Sequence, residues 1–293
     1  MGVVRSLNHP MPIRLAFSPD SDDVFMFWAL LTGRIDSEGL TFVAEREDTE
    51  SLNQRAERAD VDVLAVSIAR YATMTRDWLL LPHGASVGRG YGPVVVSREP
   101  RTMESLAGRR IGVPGLRTTA YLTLRLVAPA FEPVVIPIAP YSRAFEALRA
   151  REVEAVLLIH EGRLTYEREG CHRVLELGEA WGAKTGGLPL PLGGNAIRRG
   201  LGEATIAKVS RLCRASIAWA LEHRDEMLAS LLSEEKRDDL KLDRALLDRY
   251  LAMYANEDTR EMKPDVVNAI RELYARSVAA GLLPEGARLE LAP

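Results

Sequence analysis

The histidine with the most chemistry within reach is His160, in the run Ala155-Val-Leu-Leu-Ile-His-Glu-Gly-Arg163. A fully apolar stretch ends on it. The residues therefore predict a buried strand whose last position carries an imidazole to the edge of the sheet. Imidazole titrates near neutral pH, and a positioned base contributes roughly 10²–10⁴-fold to a proton transfer. We expect a neutral ring, with Glu161 orienting it and Arg163 pairing with a substrate carboxylate. The competing reading is a histidine satisfied by backbone groups at a strand end, and the residues alone leave both open. His83, which also follows a strand, is the lesser candidate; His9, His172 and His223 read as surface residues.

Three strand-to-helix junctions carry hydroxyls or carboxylates. They are Ser18-Pro19-Asp20-Ser21-Asp22-Asp23, Ser67 after Val-Asp-Val-Leu-Ala-Val, and Thr118-Thr119 after Ile-Gly-Val-Pro-Gly-Leu-Arg. The first turn of a helix offers unpaired N–H groups and about half a positive charge, which suits a carboxylate. A ligand carboxylate at Ser67 or at Thr118 and Thr119 gains both. The plainer role is an N-cap, worth about 1 kcal/mol. Asp20, Asp22 and Asp23 repel an anion, so they are expected to accept hydrogen bonds from ligand hydroxyls or to serve structure.

Other chemistries lack their motifs. There is no GxSxG, HExxH or paired CxxC, and no carboxylate or histidine near the acidic junction to complete a metal shell. We expect neither metal nor cofactor. The glycine-rich segments 84–92 and 186–195 allow close backbone approach to a ligand but lack dinucleotide or phosphate-loop spacing. Tyr166, Tyr250 and Tyr254 read as lining or core, with core the better reading. Lys and Arg number 38 against 41 Asp and Glu, with no basic patch interleaved with aromatics, which argues against nucleic acid. Cys171 and Cys213 form no disulfide framework, and no run approaches the ~18 apolar residues of a membrane span. Residues 1–17 lack an apolar leader segment. The expectation is a cytoplasmic protein with a small-molecule carboxylate substrate and no membrane partner; a homodimer is compatible with the sequence.

These side chains need a frame to converge. At 293 residues the chain exceeds what one hydrophobic core usually supports. Short apolar runs at 13–17, 40–44, 61–66, 78–81 and 93–97 alternate with helical patterns. A second series follows at 110–113, 134–138, 155–159 and 174–177. The alternation predicts parallel βαβ units with helices on both faces. Beyond Arg199 only helical periodicity remains, at 203–232, 243–256 and 264–280. Two α/β lobes result: residues 11–97 plus 198–293, and residues 98–197. Hinge crossings fall near Ser97 and near 192–197, and a ligand cleft lies between the lobes.

The residues also carry a family resemblance. Leu157-Leu-Ile-His-Glu-Gly-Arg-Leu-Thr-Tyr166, Thr185-Gly-Gly-Leu-Pro-Leu-Pro-Leu-Gly-Gly-Asn195 with Arg198-Arg199, and Val113-Pro-Gly-Leu-Arg-Thr-Thr119 resemble the 1,4-dihydroxy-6-naphthoate synthase family of the futalosine route to menaquinone. Met253-Tyr-Ala-Asn-Glu-Asp-Thr259 looks like that family's helical tail. The likeness runs from Leu15 to about Pro284. It implies a type II periplasmic-binding-protein fold turned into a cofactor-free lyase. Such an enzyme cleaves a carbon–carbon bond of cyclic dehypoxanthinyl futalosine, with His160 as base. The same match implies that Ser67, Thr118 and Thr119 hold the substrate carboxylate or hydroxyls. Ser18, Asp20, Asp23, Arg163, Gly194 and Asn195 complete the expected substrate-binding set. The family's first motif reads Ser-Pro-Cys-Pro-Asn-Asp, and here it is Ser18-Pro-Asp-Ser-Asp-Asp23, which adds potential negative charge beside the ligand. The alternatives are a chorismate dehydratase-like enzyme of the same fold and a non-catalytic solute receptor for a small carboxylate. A DNA-linked sensor ranks last, because no helix-turn-helix segment is present.

Overall fold

The computed structural model describes residues 11–235 and 241–293; His9 and the reading of residues 1–10 lie outside the described residues. The first sheet is built on β1 (Ile13–Phe17), β2 (Phe42–Arg46), β3 (Val63–Ser67), β4 (Trp78–Leu80) and β5 (Ser86–Gly88). Between them run α1 (Ser21–Leu31), α2 (Thr49–Arg55) and the single turn α3 (Ile68–Tyr71). The second sheet comprises β6 (Val94–Ser97), β7 (Arg110–Val113), β8 (Glu132–Val135), β9 (Ala155–Leu158) and β10 (His172–Glu176). Its helices are α4 (Thr119–Val127), α5 (Ser142–Arg149) and α6 (Leu177–Thr185). The chain then returns through β11 (Leu190–Arg198) to the first sheet.

Strand order is β2-β1-β3-β11-β4 in one sheet, with β5 also on β11, and β10-β6-β9-β7-β8 in the other. The βαβ units pair in parallel, as periodicity predicts: β1 with β2 and β3, and β7 with β8 and β9. The strands linking the sheets run the other way. β11 is antiparallel to β3, and β6 is antiparallel to β9. Two assignments therefore change. Val94–Ser97, expected beside the first series, pairs in the second sheet, so the outgoing crossing precedes it rather than following Ser97. Residues 190–198, expected beyond the first sheet as a glycine-rich connection, form one of its interior strands. Glycines 193 and 194 hid that strand by removing its alternating pattern.

The C-terminal helices pack on the first sheet's side. They are α7 (Glu203–Glu222), α8 (Arg224–Glu234), α9 (Arg244–Tyr254), α10 (Glu257–Arg260) and α11 (Pro264–Ala279). The single helix expected over 203–232 breaks at His223, which leaves the helical region with ψ at 39°. Helix α1 is apolar nearly all round, with Val24 to Leu30 buried without interruption. A helix of that kind needs cover on several sides. Trp219 of α7 stacks on Trp28 at 5.6 Å, and Ser216 Oγ accepts the Leu30 amide. From α9, Tyr250 reaches the start of α1. The N-terminus of α1 is thus held rigidly where the acidic junction lies.

Candidate active site

A cleft of about 730 Å³, counting space open at its mouth, is lined by both sheets. Ser18, Asp22 and Asp23 line it from the β1–α1 junction, Ser67 from the end of β3, and Gly193 and Gly194 from β11. The second sheet contributes Thr118, Thr119 and His160. Three separately predicted junctions and the predicted histidine therefore meet. Tyr250 and Tyr254 of α9 also line the space. They are buried as well, so a core reading of the sequence caught half of their role.

Strand β9 is buried along its whole length and ends at Leu158, two residues before His160. There the backbone turns sharply: His160 has φ of 49°, in the left-handed region, and opens a 3-10 turn, His160–Leu164. A non-glycine residue in that region is held against a cost of about 1 kcal/mol or more. The ring is 20% exposed and its Nδ1 lies 2.9 Å from Asp20 Oδ2. The contact is an ion pair within hydrogen-bonding distance. Burial opposes charge on the ring, yet Asp20, with Asp22 and Glu161 behind it, outweighs that and raises the pKa to about 9. The neutral ring expected from sequence is corrected to an imidazolium at neutral pH.

Carboxylates crowd this end of the cleft, each with its own partners. Asp20 Oδ1 accepts the Tyr141 hydroxyl at 2.8 Å. Glu161, fully buried, accepts the Ser21 amide at 3.1 Å and the Ser21 hydroxyl at 2.6 Å, with the Tyr141 hydroxyl 3.3 Å from its other oxygen. Glu161 was expected to orient His160; Asp20 touches the ring instead, and Glu161 docks on the N-terminus of α1. Asp22 accepts Tyr250 and Ser86 hydroxyls, both at 2.8 Å. Burial raises its pKa, opposed by His160 and assisted by Asp20. Asp23 accepts the Ser18 amide at 2.8 Å, and burial together with Asp22 pushes its pKa up to about 7. Ser18 Oγ in turn accepts the Asp20 amide at 3.2 Å.

The lining residues of the opposite wall carry no carboxylate, although Glu50 lies just behind it and accepts the Arg117 amide at 3.2 Å. Thr118 caps α4 by accepting the Tyr121 amide and donates to Gly115 O at 2.8 Å. Thr119 Oγ1 donates to Leu192 O at 2.6 Å and accepts the Ala69 amide at 3.0 Å. Both threonine hydroxyls are committed to backbone, which leaves the first-turn amides of α4 as the groups that the sequence reading offers a carboxylate. Ser67 lies at the end of β3 with its Oγ accepting Asn53 Nδ2 at 3.0 Å. Two further expectations change. Arg163 does not line the cleft: it forms a buried pair with Glu176, whose other oxygen accepts the Gly92 amide. Asn195 sits behind the lining, donating toward Gly84 O and the Met26 sulfur. Sequence reasoning missed Tyr141 and Ser86; their only advance signal was a hydroxyl near a turn.

Comparison with known proteins identifies the family and the fold. A model of the menaquinone-biosynthesis family matches residues 13–279. A 1,4-dihydroxy-6-naphthoate synthase of Thermus thermophilus is 37% identical over 270 residues, 92% of this chain and 95% of its own. One from Streptomyces coelicolor is 36% identical over 278 residues, 93% and 95% of the two chains. A crystal structure from Archaeoglobus fulgidus superposes with a TM-score of 0.85 at 41% identity, over 95% of this chain and 100% of that one. The alkanesulfonate-binding protein of Xanthomonas axonopodis pv. citri, solved with MOPS, gives 0.69 at 15% identity over 95% and 96%, a likeness of fold. Two sheets facing across a ligand cleft define a protein of the periplasmic-binding-protein fold. Within that fold, the chain belongs to the menaquinone-biosynthesis family.

Proposed function

We propose that the chain is a carbon–carbon lyase of the futalosine route, converting cyclic dehypoxanthinyl futalosine into 1,4-dihydroxy-6-naphthoate. The observation that carries this reading is His160, partly exposed just past a strand end and lining a cleft that also takes in Thr118 and Thr119 at the start of α4. The substrate carboxylate lies against the first turn of α4, away from the aspartates. The hydroxyl-bearing end lies against His160, Asp22 and Asp23. The imidazole removes a proton from a substrate hydroxyl. The electrons of that O–H bond form a carbonyl as the adjacent carbon–carbon bond breaks, and the pair left on the bicyclic ring forms an enolate. A proton returned to it completes the product, driven by aromatisation. No net oxidation occurs. Holding both ends in one closed cleft adds proximity to base catalysis.

We place the enzyme in the cytoplasm, supported by Cys171 and Cys213, both buried free thiols. Among the described residues no helix is long and apolar enough to cross a membrane. The test of function is incubation of the purified chain with cyclic dehypoxanthinyl futalosine, with mass analysis for the naphthoate. Formation of product supports the reading. Inertness with that compound, together with release of an enolpyruvyl benzoate from chorismate, points to the dehydratase instead.

A further inference from the structure

Asp20 stands at the N-cap of α1 with an extended backbone, φ −68° and ψ 149°, yet its side chain makes no capping hydrogen bond. An aspartate at that position ordinarily accepts a first-turn amide, a contact worth about 1 kcal/mol. Here both oxygens are turned away from the helix. One meets His160 Nδ1 at 2.9 Å and the other the Tyr141 hydroxyl at 2.8 Å. The amide of Ser21 is served instead by Glu161. Asp20 belongs to the junction following β1 in the first sheet, whereas His160, Glu161 and Tyr141 belong to the second sheet's connections. Gly162 makes room for the arrangement, since a Cβ there would stand 2.6 Å from the Tyr141 ring. The contacts thus span the cleft.

We propose that Asp20 is the positioning residue of the candidate base, a carboxylate supplied from one side of the cleft that aligns and charges the imidazole supplied by the other. The pair forms when the cleft is closed, so closure itself readies His160. When the sides separate, the ring loses the contact. The inference rests on His160 as the reacting group. Asp20 acts only through the ring and is assigned no contact with substrate. The other groups around the ring are Asp22 and Asp23 from α1, Glu161 from its own turn, Tyr141 ahead of α5, and Tyr250 from α9.

The test is Asp20→Asn, nearly the same shape without the charge, compared with wild type, Tyr141→Phe and His160→Asn. His160 is titrated by NMR and identified as the resonance missing in His160→Asn. In the wild type it titrates near 9, and in Asp20→Asn it moves toward the ordinary 6.5. The high-pH plateau of kcat/KM falls about ten- to a hundredfold in Asp20→Asn, in kcat more than in KM. Tyr141→Phe removes a neutral donor from Asp20 but keeps the carboxylate facing the ring, so the His160 titration stays well above 6.5, in contrast to Asp20→Asn. An unchanged His160 titration and pH profile in Asp20→Asn overturn the proposal while leaving the function intact if His160→Asn is inactive. Full turnover by His160→Asn overturns both. Should Asp20→Asn fail to fold, the wild-type titration still decides: a value near 6.5 refutes the pairing.

Discussion

At the scale of single residues, the site is one imidazole among several carboxylates. Its charge follows from that crowding. Because the raised value near 9 describes the free enzyme, the base form is the minority species at neutral pH. The pH dependence of kcat/KM therefore rises roughly tenfold per pH unit and levels off near 9. A profile that instead falls through that region would make His160 an acid. The linked stability has the opposite trend: the pair's contribution is fully present below 6.5 and is lost as pH rises through about 9. His160 itself was legible in the sequence, because an unbroken apolar run ends on it. Its partner was not. Asp20 lies 140 residues away, and nothing local distinguishes an aspartate that caps a helix from one that faces a ring.

At the scale of elements, contacts between the two sides pass through a few short junctions. The Thr119 hydroxyl joins the start of α4 to α3 and β11, by way of the Ala69 amide and the Leu192 carbonyl. Thr119 is 2% exposed, so water cannot readily replace it. Replacing it with valine leaves a buried donor and acceptor unpaired, which costs about 1–3 kcal/mol in urea unfolding. A loss below about 0.5 kcal/mol would mean that the bridge is replaced by relaxation or water. The same region marks where periodicity fails as a guide. The segment from Leu190 to Arg198 carries a proline and two adjacent glycines, so it offers no alternating pattern, yet it is paired on both edges by β3 and β4. Its strand character comes from its neighbours rather than from its own side chains.

At the scale of the whole molecule, βαβ alternation and the helical tail conveyed the class of fold. The crossing between sheets was misplaced because Val94–Ser97 is as apolar as any strand of the first series. Apolar character identifies a strand without saying which sheet receives it. Global stability should also respond to acid through His83, whose burial beside Arg214 lowers its pKa to about 4. A depressed histidine contributes stability above 6.5 that is lost as pH falls toward 4. At about pH 5 the loss is on the order of 2 kcal/mol. His83→Leu should remove that part of the slope between neutral and mildly acid urea titrations. Identical slopes in the two proteins would show that His83 is not held neutral in the fold.

His160, in the proposed reaction, drives cleavage of a carbon–carbon bond in a closed cleft. The most direct test is single-turnover conversion of cyclic dehypoxanthinyl futalosine by wild type and His160→Asn, followed by mass spectrometry. The wild type should form 1,4-dihydroxy-6-naphthoate, and the variant should form it at least about a hundredfold more slowly while still binding the compound. Equal rates from the two proteins, or tight binding without any product from the wild type, would contradict it.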